Sequence, residues 1–125
     1  MDNIPSDLKY TKSHEWVRFS DGKAVIGITD HAQQELTDIV FVELPEEGKT
    51  LEKGEVALVV ESVKIAADIY APLSGTVLRV NRDLESEPGH INQDPYGKGW
   101  IVEIQTEDTG EELLDAAAYG SLIGQ

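Results

Sequence analysis

The chain has 125 residues, no cysteine, and a formal net charge of −14, from 10 Lys and Arg against 24 Asp and Glu. That length fits one domain, residues 1–125, able to bury about two thirds of the surface its unfolded chain exposes. Without cysteine there is no disulfide framework, no thiolate metal site and no cysteine nucleophile, and so acidic a surface repels nucleic acid and anionic membranes while suiting basic docking clefts.

Met1-Asp2-Asn3-Ile4-Pro5-Ser6-Asp7 reads as neither a signal peptide nor an Arg-rich transit peptide, and no apolar run reaches membrane-spanning length. A bacterial cytoplasmic location is the expectation. Short apolar runs and alternations predict strands at Glu15 to Phe19, Lys23 to Ile28, Ile39 to Leu44, Glu55 to Val60, Ile65 to Tyr70, Thr76 to Asn81 and Trp100 to Thr106. Asp21-Gly22 supplies a turn between the first two. Asp30 to Thr37 reads as a short helix capped by Asp30, with Gln33 three residues on. A C-terminal helix is predicted from Thr109, boxed with Glu112, through Leu113, Leu114 and Ala118 toward Leu122. Leu84 to Gly99 is a long polar connection holding Pro88, Gly89, Pro95, Gly97 and Gly99, of the kind that is functional or packed as a compact surface loop. Pattern alone gives a mainly β sandwich or barrel with two helical additions.

The most informative residue is Lys64. The runs Gly54 to Val63 and Ile65 to Gly75 flank it, both rich in aliphatic residues and each closed by a glycine at nearly equal distance. They read as the arms of a hairpin with Lys64 at its tip, where an enzyme that recognises the shape of the scaffold can acylate the amine. A lysine so placed can carry a swinging cofactor. A catalytic lysine instead needs burial or a cationic neighbour to lower its pKa, and a hairpin tip offers little of either.

Glu61-Ser62-Val63-Lys64, followed by Ala71-Pro72 and Ser74-Gly75, resembles the lipoylation site of the H proteins of the glycine cleavage system. The likeness continues in Ser13-His14-Glu15-Trp16, Gly27 to Gln33, Asp38 to Pro45 and Asn92 to Trp100, covering nearly the whole chain in order. A biotin site, by contrast, sits between two methionines, whereas Lys64 lies between Val63 and Ile65. The resemblance implies a barrel-sandwich hybrid, as in lipoyl and biotinyl carriers, and lipoate joined to Lys64 as an amide. It implies a monomeric carrier with no catalysis of its own. Its partners would be a pyridoxal-phosphate glycine decarboxylase, a tetrahydrofolate-dependent aminomethyltransferase, an FAD-dependent dihydrolipoyl dehydrogenase and a lipoate-attaching enzyme. It further implies that the loaded arm folds into a cleft where Glu15, with Ser13 and Asp68, holds the ammonium end of the aminomethyl cargo and keeps water away.

Taken singly, Glu15 reads as a solvated carboxylate and Ser13 as a turn or cap residue. His14, His31 and His90 match no usual ligand spacing, and the carboxylates form no calcium loop, so no metal is expected; His14 and His31 are expected to shape the cleft. Pro95 to Trp100 reads as a structural clamp. Two positions depart from the family pattern. Ala67 stands where serine is common, removing a hydroxyl near the arm, and Ile65 where alanine is common, stiffening the residue beside the lysine. Two rival readings remain: an H-like carrier that relays lipoate to 2-oxo acid dehydrogenases, and an unmodified acidic β module that binds basic partners.

Overall fold

A computed structural model of the chain describes residues 3–125. Met1 and Asp2, part of the start read above for targeting signals, lie outside them. The strands are β1 (Lys9–Tyr10), β2 (Glu15–Ser20), β3 (Lys23–Ile28), β4 (Ile39–Glu43), β5 (Thr50–Leu51), β6 (Val56–Ser62), β7 (Ala66–Tyr70), β8 (Gly75–Val80) and β9 (Val102–Gln105). The helices are α1 (Asp30–Leu36), α2 (Asp83–Ser86), α3 (His90–Gln93) and α4 (Ala116–Leu122). All strand pairs are antiparallel, in one six-stranded sheet of order β1-β2-β3-β9-β8-β5 and one three-stranded sheet of order β4-β6-β7.

Alternation along the strands decides which side chains meet between the sheets. Val17, Ile26 and Ile28 on one sheet and Val42, Leu58, Val60 and Ile69 on the other are buried in one cluster with Leu73, Val77 and Ile104. A second cluster gathers Leu8, Tyr10, Trp16 and Tyr119, with Tyr10 stacked on Tyr119 at 4.8 Å between ring centroids. The seven expected strands are present, with ends shifted by a residue or two, and β1 and β5 are additional two-residue strands. Asp21 and Gly22 both take positive φ, 49° and 75°, as a two-residue turn matched to strand twist requires.

Three sequence expectations need correction. The cap of α1 is Thr29, whose hydroxyl accepts Ala32 N–H at 3.2 Å. Asp30 is the first helical residue, and its carboxylate takes the side-chain amides of Gln33 at 2.8 Å and Gln34 at 3.1 Å. The C-terminal helix starts at Ala116, not near Thr109, and its cap is Asp115, which accepts Ala118 N–H at 2.8 Å. Residues 109–114 are drawn off by pairing: Leu113 N–H closes a turn onto Gly110 C=O at 3.0 Å, and Leu114 exchanges two 2.8 Å backbone bonds with Tyr10. No capping box forms there. Finally, the polar connection read from Leu84 to Gly99 holds α3 and all but the first residue of α2, anchored by the fully buried Leu84 and Ile91.

That connection also positions the site. Asn92 donates its amide to Thr37 C=O at 2.8 Å and to Gln33 Oε1 at 3.0 Å, and accepts Ile39 N–H at 2.9 Å. It therefore fixes the end of α1 against the start of β4. The clamp reading of Pro95 to Trp100 fits its contacts: Trp16 donates its indole N–H to Pro95 C=O at 2.9 Å, and the Tyr96 hydroxyl accepts Asp30 N–H at 2.9 Å.

Candidate functional site

Three residues, Val63 to Ile65, join β6 to β7, and the two loop residues Val63-Lys64 stand at the centre of a turn closed by Ser62 N–H on Ile65 C=O at 2.8 Å. Neither loop residue takes a positive φ, so the primed turn geometry that closes most short hairpins is not used. A side chain does the holding instead. Ser62 Oγ accepts the N–H groups of Lys64 and Ile65, both at 3.1 Å, and donates to Ile65 C=O at 3.2 Å. Val63 N–H donates to Asp38 C=O at 3.0 Å, tying the tip to the chain just before β4. The tip is fixed and the side chains on it are exposed, Val63 at 66% and Ile65 at 54%.

Lys64 reaches toward α1, where its amine donates to Glu35 C=O at 3.1 Å. Between the hairpin and α1 lies a cleft of about 350 Å³, lined by Lys64, Ile65, Ala67 and Asp68 on one side and by Ser13, His14, Ala32 and Glu35 on the other, over Ile28 and Ile69. Ser13 also borders a neighbouring hollow of about 410 Å³ lined by Glu15, Tyr70, Lys53 and Glu112. The predicted trio is thus split: Ser13 and Asp68 share the cleft with Lys64, and Glu15 lies under Ser13 in the adjoining hollow. Ala67 gives the cleft wall a methyl group and no hydroxyl.

Glu15 is not the solvated carboxylate that its residue type suggests, being 1% exposed. Its Oε1 accepts the hydroxyls of Thr11 and Ser13, both at 2.6 Å, and its Oε2 accepts Tyr70 N–H at 3.3 Å. A buried carboxylate needs such partners to remain tolerable. The link to Tyr70 joins β2 to β7 across the two sheets, so Glu15 fixes the distance between the cleft walls.

His14 and His31 meet, with ring centroids 4.9 Å apart. His14 takes a positive φ of 74°, its Nδ1 lies 2.8 Å from the Tyr119 hydroxyl, and burial, then the neighbouring His31, hold its pKa below the usual histidine value. His31 Nε2 lies 3.0 Å from Glu35 Oε1. Spacing along the chain gave no hint of this grouping; the register did. Counting outward from the Asp21-Gly22 turn pairs Glu15 with Ile28, which sets His14 beside the start of α1. His90 stands apart, paired with Glu87 at 3.1 Å.

A model of the family described as "Glycine cleavage H-protein" matches residues 8–125. The chain is 52% identical over 128 residues to the glycine cleavage system H protein of Aeromonas hydrophila subsp. hydrophila, covering 100% of this chain and 99% of that one. It is 54% identical over 126 residues to the protein of the same description from Halorhodospira halophila, covering 98% and 97%. Among solved structures, the crystal structure of a glycine cleavage system H protein from Mycobacterium marinum superposes with a TM-score of 0.92 at 41% identity, covering 98% of this chain and 100% of that one.

Proposed function

The chain belongs to the glycine cleavage H-protein family, and on that premise we propose that Lys64 is the residue to which lipoate is joined. Its place in the family makes the protein a lipoyl carrier of glycine cleavage and a carrier rather than a catalyst. The observation that carries the assignment to Lys64 is its position at the tip of a hairpin held by Ser62 and Asp38, with its amine donating to a backbone carbonyl at the edge of a cleft. The residues fit the group: the amine is reachable for acylation, and the cleft offers an apolar floor of Ile28 and Ile69 with polar groups at its rim. Bound there, lipoate supplies the dithiol that glycine cleavage charges, empties and reoxidises.

The chain's own part is presentation and shelter. Ser62 orients the lysine, while Ile28, Ala67 and Ile69 receive apolar length and exclude water. Ser13 and Asp68 face the cleft with a hydroxyl and a carboxylate, and Glu15 beneath Ser13 adds a second negative charge for a cationic end group. We assign the remaining partners as the pyridoxal-phosphate glycine decarboxylase, the tetrahydrofolate-dependent aminomethyltransferase, the FAD-dependent dihydrolipoyl dehydrogenase and a lipoate-attaching enzyme. The net charge of −14 favours basic docking clefts on each. The cited relatives are bacterial, and among the described residues no helix is long and apolar enough to cross a membrane; a cytoplasmic place fits both.

The test is the intact mass of the protein from its native cell, followed by peptide mapping across Lys64. A lipoyl increment on Lys64, absent from Lys64→Arg, is the expected result. A free Lys64 amine in cells growing on glycine overturns the assignment and favours the unmodified binding module.

A further inference from the structure

His14, His31 and Glu35 come from the turn before β2 and from two successive turns of α1, yet they converge, with His14 and Glu35 on the cleft wall and His31 beside them. One ring nitrogen from each histidine and a carboxylate oxygen of Glu35 lie within 4.8 Å of one another. We propose that these three side chains form a binding site for a divalent transition metal of the zinc class, with at least one coordination position open toward the Lys64 cleft.

Two imidazoles and a carboxylate are a donor set that zinc takes in open, three-ligand sites. His31 and Glu35 already stand 3.0 Å apart, close to the ~3.3 Å separation of ligands around a tetrahedral zinc. Glu35 is the most exposed of the three, and staggered rotamers give its carboxylate room to adjust toward a shared ion. The Tyr119 hydroxyl, itself 2.7 Å from Thr29 Oγ1, fixes the His14 ring as outer partners fix metal-bound imidazoles. An i,i+4 ion pair accounts for His31 with Glu35 but not for the approach of His14, which holds a left-handed backbone conformation to place its ring there. An ion at this position would sit on the wall that His14 and Glu35 give to the cleft, so its presence would alter what rests there. The site is complete without Lys64 and does not depend on the carrier reading.

The experiment titrates Zn²⁺ into the full chain carrying Lys64→Arg, followed by calorimetry, with Co²⁺ absorption as a second readout of coordination geometry. Because that chain cannot be modified at residue 64, the outcome is separate from the lipoylation test. The expected result is one Zn²⁺ per chain, released by chelator, with affinity falling at least about tenfold in both His31→Ala and Glu35→Gln and unchanged in His90→Ala. Glu35 is exposed, so Glu35→Gln keeps the test sound if His31→Ala does not fold. Absence of stoichiometric binding overturns the proposal. So does binding that Glu35→Gln leaves intact, or that His90→Ala weakens equally, since either places the ion away from these three side chains.

Discussion

Replacing Ser62 with alanine isolates the shape of the hairpin tip from the chemistry of its lysine. The substitution deletes the oxygen that accepts the Lys64 and Ile65 N–H groups, while Ser62 N–H on Ile65 C=O and Val63 N–H on Asp38 C=O survive. Both bonds are half-buried at a tip whose residues Lys64 and Ile65 are exposed, so water can reach the two freed donors. The net loss is then about 1 kcal/mol, not the larger cost of an orphaned buried group. For a chain of this size that lowers Tm by about 3–5 °C, leaving the protein folded at working temperature. The tip, however, now samples other conformations, and an attaching enzyme must reorder it. If the same ~1 kcal/mol appears in the transition state of acylation, kcat/KM for lipoylation falls about fivefold. The assay is an intact-mass time course with a purified lipoate-attaching enzyme, alongside calorimetric unfolding. Ser62→Thr keeps the hydroxyl and should restore the rate. An unchanged lipoylation rate with the expected drop in Tm refutes the argument that the enzyme reads a fixed tip.

Glu15→Gln keeps the shape of the side chain and removes its charge; loss of cargo from the loaded, lipoylated protein should speed about 10–100-fold, the worth of a hydrogen bond to a charged group, and an unchanged decay rate would remove Glu15 from the arm's shelter. Burial and His31 lower the pKa of His14, with Glu35 and Glu15 opposing and the Tyr119 hydroxyl bonded to the ring. The unfolded chain therefore binds the proton more readily, and stability should fall as pH drops through the ordinary histidine range. Above that range this group adds no slope. His14→Asn tolerates the positive φ and cannot titrate, so its unfolding midpoint in urea should vary less between pH 7.5 and 5.5 than that of the parent; equal slopes would disprove the linkage. Gly27→Ala would place a methyl 2.6 Å from the buried Trp16 indole, costing about 3 kcal/mol and about 10 °C in Tm. A variant as stable as the parent would show that the second cluster yields easily.

The features legible in the sequence were local ones. Strand alternation and the Asp21-Gly22 turn carry their own geometry, and the two arms around Lys64 announce a hairpin because neither needs a distant partner to be read. The oxygen that shapes the tip was in view as part of a motif, but its role depends on Val63 and Lys64 declining positive φ, which composition does not reveal. At Thr109 the sequence offered a capping box, yet Leu114 found a better partner in Tyr10, more than a hundred residues earlier. Long-range pairing overrode local preference there. Glu15 looked solvated because burial depends on Thr11, Ser13 and Tyr70 converging on it. The His14–His31 contact was recoverable by counting register from the turn, a step that spacing rules for metal motifs do not include.

Tyr119 gives the last helix a voice at the opposite end of the chain. Its hydroxyl touches both His14 and Thr29, the residues that precede β2 and cap α1, and its ring stacks on Tyr10. Proteolytic trimming or a bulky fusion at the carboxyl end would therefore loosen the rim of the cleft without approaching Lys64. Two preparations with identical modification could then differ in how long they protect their cargo.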